Sequence, residues 1–77
     1  MDKWIDVKNR LPEDDWLECL VMCPEIGNHY SVLEATFCEG RFYRNMIINH
    51  NNRRISNIAI VVDYWIEIPK VPEVNDD

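Results

Sequence analysis

Residues 31–43, which read SVLEATFCEGRFY, decide the fold. Side chains alternate in the first part: Leu33, Ala35 and Phe37 point to one side, which we expect to be buried, and the residues between them point to the other. Glu39-Gly40 then separates this run from a second β-prone run. An acidic residue followed by glycine favours a tight turn, because glycine accepts positive φ. The stretch therefore predicts an antiparallel β-hairpin.

Three further segments are β-prone. Residues 4–7 predict a short entry strand or extended arm, and the proline at position 12 breaks the chain soon after it. Residues 19–23 form a compact apolar block that suits a strand buried on both faces. Residues 55–68 are rich in β-branched and aromatic side chains and end at a proline, so we expect them to form the central strand.

Two intervening segments are polar. Residues 12–15 open with proline and continue with three carboxylates, which is typical of a first helical turn. Residues 13–22 fit either a helix or a strand, and we favour one turn followed by a strand. Residues 49–54 contain no apolar side chain and are expected to form an exposed loop.

Together these elements predict a mainly β (β-rich α+β) fold: a small antiparallel sheet of four or five strands with one short helical turn. Residues 1–70 are expected to form a single domain, and residues 71–77 a polar, frayed tail. Trp4-Ile5-Asp6-Val7 and Trp65-Ile66-Glu67-Ile68 share one pattern. This echo is either a coincidence of strand composition or a sign that the two segments lie side by side and close the sheet.

Composition argues against several classes of protein. Fourteen acidic against eight basic side chains give a net charge of −6, so we expect no direct nucleic-acid binding. The apolar runs are far shorter than the roughly 20 residues that span a bilayer, and the first residues lack the pattern of a secretory signal. Three cysteines, an odd number, argue against a disulfide framework. We therefore expect a cytoplasmic protein with reduced thiols and no membrane contact.

Some of these residues resemble a known family. Trp4-Ile5-x-Val7-x-x-Arg10-Leu11-Pro12 is followed by an apolar strand, by Ala35-Thr36-Phe37-x-x-Gly40-Arg41-Phe42-Tyr43 and by Val62-x-x-Trp65-x-x-Ile68-Pro69. This order is similar to domain-of-unknown-function family five hundred and fifty-one, small proteins encoded largely by phages and prophages. Members usually end in Thr-His-Trp-Met-Pro-Leu-Pro. Here Tyr64 replaces the histidine and Glu67 the first proline, so no role of that histidine carries over. The resemblance implies a phage origin and a small sheet domain, and no mechanism.

The cysteines and histidines of the chain lack the spacing that a metal site or a catalytic nucleophile–base pair needs. Cys19 and Cys23 would stand about 13 Å apart on a strand, too far for one zinc ion. A cysteine nucleophile needs a neighbouring base, and the two histidines, His29 and His50, lie beside a turn and in a polar loop without a recognisable motif. We therefore expect no enzyme activity, no metal and no cofactor.

Charge is distributed unevenly along the chain. Residues 1–40 carry nine acids and three bases, residues 41–62 four arginines and no acid, and residues 63–77 five acids and one lysine. Guanidinium forks beside amides and an imidazole can bind a phosphate or carboxylate. The candidate anion-binding residues are Arg41, Arg44, His50, Arg53 and Arg54. Alternatively, the arginines pair with the chain's own acids, or face a second copy and specify a homodimer.

Aromatic side chains are the second candidate contact. Their number exceeds what so small a core encloses, and exposed Trp and Tyr are typical of interfaces. The candidate interface residues are Trp4, Trp16, Tyr43, Tyr64 and Trp65. Phe42 either joins the arginines in a stacking patch or lies in the core opposite Phe37.

Three functions fit these features. The first is a non-catalytic binding protein of phage or prophage origin, a counter-defence factor that sequesters an anionic nucleotide signal or blocks a host protein. The second is an acidic DNA mimic that inhibits a nucleic-acid-binding host protein through Glu13-Asp14-Asp15 and the acidic tail. The third is a small structural or assembly protein. The expected partner is therefore a host protein or a small anionic ligand.

Overall fold

The computed structural model describes residues 3–49 and 52–69, which form one antiparallel sheet. Its strands are β1 (Ile5–Asp6), β2 (Leu17–Pro24), β3 (Tyr30–Cys38), β4 (Arg41–Asn49), β5 (Asn52–Ile60) and β6 (Tyr64–Glu67). They lie in the order β1-β6-β2-β3-β4-β5. The mainly β, antiparallel prediction is confirmed, but the described residues contain six strands instead of four or five and no helical turn. The predicted tail, residues 71–77, lies outside the described residues.

No helix capable of crossing a membrane occurs in the described part of the chain.

The predicted β3–β4 hairpin is confirmed. Glu39 and Gly40 connect the strands with φ angles of 51° and 82°, the paired positive values that a type I′ turn needs. Its ladder places Phe37 directly opposite Phe42, and the two rings meet edge to face with their centroids 5.1 Å apart. Phe42 therefore belongs to the core.

Strand β2 begins directly after an irregular segment. Residues 13–16 form bends and turns where a helical turn was predicted. Trp16 adopts a φ of 67°, and its backbone N–H donates a 2.7 Å hydrogen bond to the carbonyl oxygen of Phe37. This bond ties the segment to β3, so the chain continues as a strand and the helical alternative for residues 13–22 is wrong.

Only one face of β2 lies in the core. Cys19, Val21 and Cys23 are buried, whereas Leu20, between them, is 38% exposed. The prediction of a strand buried on both faces is therefore wrong. Its physical reason is that no described element covers Leu20 on the other face of β2.

The chain's second half differs most from prediction. Residues 49–54, the polar run predicted as an exposed loop, are largely strand, because β4 reaches Asn49 and β5 starts at Asn52. The Asn49 Oδ1 also accepts a 3.0 Å hydrogen bond from the Asn52 N–H. The predicted central strand over residues 55–68 is divided at residues 61–63, where Val62 is buried. As a result β5 is an edge strand, and β6 lies inside the sheet.

The sequence echo reflects a contact between strands. Ile5 lies opposite Trp65, and Asp6 lies opposite Tyr64. The two segments are therefore side by side, as the second interpretation held. They do not close the sheet, because β1 and β5 remain its two edges among the described strands.

The hydrophobic core covers one face of the sheet, which we call the inner face; the opposite face is the outer face. Its buried members are Cys19, Val21, Cys23, Ala35, Phe37, Phe42, Val62 and Trp65. The Trp65 Nε1–H donates a 2.9 Å hydrogen bond to the carbonyl oxygen of Arg10, and the Arg10 guanidinium lies 5.6 Å from the Trp65 ring centroid. These contacts fasten the segment between β1 and β2 over the core.

Strands β4 and β5 continue past the sheet as a two-stranded ribbon. The ladder between β3 and β4 ends at Ala35 and Arg44. Beyond that pair, β4 is paired only with β5 among the described residues. We call residues 45–49 and 52–58 the arm.

Candidate interaction surface

The outer face carries a continuous group of apolar and aromatic side chains, which we call the outer-face patch. Its members lie on the neighbouring strands β6, β2 and β3: Leu20, Met22, Tyr30, Val32, Tyr64 and Ile66. Met22 lies directly opposite both Val32 and Tyr64, and Leu20 lies opposite Ile66. Residues opposite each other in a ladder share one face, so these side chains form adjoining rows.

Much of the outer-face patch is in contact with solvent. Val32 is 54% exposed, Tyr30 46% and Leu20 38%, while the other three members are half-buried. Isolated apolar residues on a surface are ordinary, but a contiguous group of them marks an interaction site. The patch is therefore the strongest candidate for a binding surface on the described part of the chain.

Two tyrosines of the patch are held in place. The rings of Tyr30 and Tyr64 meet edge to face with centroids 6.1 Å apart, and the Tyr30 hydroxyl donates a 3.1 Å hydrogen bond to the Asp63 carboxylate. That hydrogen bond raises the pKa of Tyr30 above its usual value, because the Asp63 carboxylate stabilises the protonated phenol by accepting its hydrogen bond. Ordered aromatic side chains lose little conformational entropy when a partner binds them.

Carboxylates surround the patch. Asp6 lies opposite Tyr64, Asp63 accepts the hydrogen bond from Tyr30, and Glu34 lies opposite Leu20. Glu18 shares their face, since it precedes Leu20 by two positions on β2. These four acids form what we call the acidic rim.

Only one carboxylate of the acidic rim has a described cationic partner. The Glu34 carboxylate forms an ion pair with Arg53, whose Nε lies 3.1 Å from it, and accepts a 3.2 Å hydrogen bond from the Asn45 side-chain amide. The Asn45 Oδ1 in turn accepts a 2.7 Å hydrogen bond from the Thr36 hydroxyl, and both Asn45 and Thr36 are buried. Asn45, an amide side chain within the arginine-containing segment 41–62, is thus committed to a structural network.

The predicted anion-binding arginines are spread along two strands. Arg41 begins β4 beside the hairpin turn, whereas Arg53 and Arg54 lie opposite Ile47 and Met46. Ile47 lies six positions along β4 from Arg41, a distance of about 20 Å. Arg44 and Arg41 point to opposite faces because they are three residues apart, and His50 lies outside the described residues. The structure therefore does not bring the five residues together.

The predicted interface aromatics have different environments. Tyr64 is part of the outer-face patch, Trp4 is half-buried, and Trp16 is 67% exposed. Trp16 and the half-buried Tyr43 line a shallow cleft of about 420 Å³ at the base of the arm. Trp65 is 4% exposed and lies in the core, so its side chain is not accessible to a partner.

Most members of the outer-face patch were missed in the sequence. The signal was present in β2, where the buried cysteines and valine alternate with Leu20 and Met22. Because every residue of this block is apolar, alternation cannot show which face is covered. Tyr64 alone was identified, and only as an aromatic side chain.

The three cysteines are free thiols with little tendency to react. Cys19 and Cys23 are buried and Cys38 is half-buried. Burial, assisted by the nearby Glu67 carboxylate, raises the pKa of Cys19 to about 11, and burial also raises the pKa of Cys23. At neutral pH both thiols stay protonated, so they act as small hydrophobic side chains. Among the described residues, no cluster of His, Cys, Asp and Glu has the composition to hold a metal ion.

We expect the domain to lose stability through Cys19 as the pH rises from 9 to 11. In the unfolded chain this thiol ionises near its ordinary pKa of 9.0, and in the folded chain near 11. The folded state therefore binds more protons in this range, and stability falls by up to about 1.4 kcal/mol per pH unit. Urea unfolding across the range should show a shallower pH slope for Cys19→Ala. Equal slopes for the two proteins would contradict the assignment.

The fold and the patch define the molecule as a small antiparallel β domain with one open apolar face. Comparison of the chain with protein-family models, with curated proteins and with solved structures finds no match. The functional proposal therefore rests on the outer-face patch and its acidic rim.

Proposed function

We propose that this chain is a non-catalytic interaction protein of phage or prophage origin that binds and blocks a basic host protein in the host cytoplasm. The observation that carries this proposal is the outer-face patch inside its acidic rim. Protein–protein interfaces usually have an apolar centre surrounded by polar and charged residues.

Charge complementarity indicates the kind of partner. The rim presents carboxylates of Asp6, Glu18 and Asp63 around an apolar centre, and the chain as a whole has a net charge of −6. A partner that matches this surface has an apolar patch surrounded by lysines and arginines. Host proteins that bind nucleic acids have such cationic surfaces for phosphate groups. The partner class we infer is therefore a nucleic-acid-binding protein, whose site the acidic rim would occupy.

The geometry gives less support to sequestration of a nucleotide signal. That function needs several guanidinium groups around one anion, and here Arg41 lies about 20 Å along the strands from Arg53. Arg53 also contacts Glu34, which leaves a carboxylate beside any bound anion. The phage or prophage origin is taken from the family resemblance, and blocking a host protein is consistent with counter-defence.

Capture from a bacterial lysate, followed by affinity measurement with the purified captured protein, tests the proposal. We expect the wild-type chain to retain a basic nucleic-acid-binding protein, and duplex DNA to compete for it. Leu20→Asp introduces a charge into the patch, between Ile66 and the rim residue Glu34, and is expected to weaken that binding by at least about tenfold.

Leu11→Asp is the matched control for this experiment. Leu11 is 42% exposed, close to the 38% of Leu20, but it lies before β2 and outside the patch. Both variants change the net charge equally. Equal weakening by the two variants, or a captured partner that is acidic and unaffected by DNA, would reject the proposal.

A further inference from the structure

Strand β3 has an open edge. On one side β2 pairs with it along nearly its whole length, from Tyr30 to Phe37. On the other side β4 pairs with it only from Ala35 to Cys38. Within residues 3–49 and 52–69, no strand is paired with residues 30–34 on that second side.

Backbone groups on this edge point away from β2. The Glu25 N–H donates a 2.8 Å hydrogen bond to the carbonyl oxygen of His29, which sets the hydrogen-bonding alternation of the β2–β3 ladder. In an antiparallel ladder every second residue bonds to the same neighbour, so the N–H and C=O groups of Tyr30 and Val32 face the open edge. Such groups are a template for an added strand.

The arm lies across a cleft from this edge and exposes apolar side chains of its own. Met46 is 46% exposed, Ile48 58%, Ile55 40% and Ile58 71%. A two-stranded ribbon without further cover is marginally stable in water. Between the edge and the arm is a cleft of about 550 Å³, lined among others by Val32 and Met46. A partner in the cleft would therefore stabilise both sides of it, by pairing with the β3 edge and by burying the apolar side chains of the arm.

Charge indicates what covers them. The segment that contains the arm, residues 41–62, has four arginines and no acid, whereas the rest of the chain has fourteen acids and four bases. Among the described residues, Arg53 has a carboxylate partner, but no carboxylate forms an ion pair with Arg44 or Arg54. A second copy of the chain offers each arm, which carries Arg53 and Arg54 and no acid, a body whose net charge outside residues 41–62 is −10. At the cleft itself the charged lining residues are Glu34 and Arg44.

We propose that the chain forms a two-fold homodimer in which the arm of each copy lies in the β3–β4 cleft of the other and adds a strand to the open edge of β3. A two-fold axis makes the two contacts identical. The exposed isoleucines of the arm become covered, and the edge groups of Tyr30 and Val32 become hydrogen-bonded. This contact uses the arm and the backbone edge of β3, whereas the proposed binding of a host protein uses side chains on the outer face. Tyr30 and Val32 belong to both surfaces, through their backbone groups and their side chains respectively.

Sedimentation velocity over a concentration series tests the dimer. We expect dimers at micromolar concentrations and weaker association at high salt, because exposed charges are screened. Val32→Pro removes the edge-facing N–H and is tolerated in an edge strand, so this variant is expected to be monomeric with an unchanged circular dichroism spectrum. Val32→Thr, which keeps the N–H, is expected to remain dimeric.

A second pair of variants tests the electrostatic part. Arg54→Glu, on the arm, is expected to raise the dissociation constant of the dimer at least about tenfold. Arg41→Glu makes the same charge change at the hairpin turn, outside the arm, and is expected to have a much smaller effect. This pair decides the outcome even if Val32→Pro fails to fold.

Three results would overturn the dimer: a monomer at every concentration up to the millimolar range, equal association of Arg54→Glu and Arg41→Glu, or a monomer whose arm binds duplex DNA in a fluorescence anisotropy titration. Leu20→Asp separates the two proposals. It should weaken host-protein binding at least about tenfold and leave dimerisation unchanged, since Leu20 lies on β2 and away from the open edge of β3.

Discussion

Replacing Trp65 with alanine should lower the free energy of unfolding by about 3–5 kcal/mol, a loss typical of a large aromatic side chain removed from a core. Trp65 is 4% exposed and lies opposite Ile5 on β1 and Val21 on β2. Its indole also donates the hydrogen bond to Arg10. The total stability of so small a domain is about 4–12 kcal/mol, so the variant should be partly or wholly unfolded. Urea denaturation followed by far-ultraviolet circular dichroism measures the change.

Two further variants show whether the loss of stability comes from the packing of Trp65 in the core or from the removal of any tryptophan. Trp16 is 67% exposed, so Trp16→Ala should change stability by no more than about 0.5 kcal/mol. Trp65→Phe keeps a ring in the core but loses the N–H donor to the Arg10 carbonyl, and should cost less than Trp65→Ala. A loss in Trp16→Ala as large as that in Trp65→Ala would show that Trp65 is not the anchor of the core.

Local turn chemistry is the part of the fold that the sequence predicts best. The β3–β4 hairpin needs positive φ at two successive residues, and Glu39-Gly40 supplies them between two runs of alternating character. The echo between the segments around Ile5 and Trp65 also corresponds to a real pairing. In both cases the information is present in the chain itself, as a turn residue or as matching strand composition.

Tertiary packing decides the features that were predicted wrongly. Residues 55–68 contain no glycine and no proline before position 69, so nothing local marks the break between β5 and β6. The break occurs because Val62 enters the core and the Asp63 N–H donates to the carbonyl oxygen of Met22. The described parts of the asparagine-rich run, Asn49 and residues 52–54, likewise become strand because β4 and β5 pair with each other there. Propensity alone does not contain such long-range contacts.

The same distinction applies to the candidate surface. Arginines that are close in sequence are separated by strand alternation and by the length of β4, so charge clustering along the chain did not become clustering in space. The outer-face patch was hidden in a block that is apolar on both faces of β2. Sequence can show that Leu20 and Met22 are apolar, but only the structure shows that Leu20 stays 38% exposed and Met22 half-buried.

Aspartate substitutions at two adjacent positions of β2 test this assignment of faces. Val21 is fully buried between Leu33 and Trp65, whereas Leu20 points to the outer face. Val21→Asp places an unpaired carboxylate in the core and should cost about 3–5 kcal/mol at neutral pH. Leu20→Asp should cost about 1 kcal/mol or less, because its carboxylate remains in water. Urea unfolding of both variants at one pH gives the comparison.

The pH dependence of the two variants sharpens the test, because both contain the same new group. In the unfolded chain its pKa is about 3.9, and burial in Val21→Asp raises the folded-state pKa above that value. The folded variant then binds more protons than the unfolded one, so its stability falls as the pH rises from about 4 until the buried group ionises. Leu20→Asp has a much smaller added slope, since its carboxyl group stays in water and only the neighbouring Glu18 and Glu34 raise its pKa. If instead the slopes were the same, both aspartates would lie in water and β2 would not have one buried and one open face.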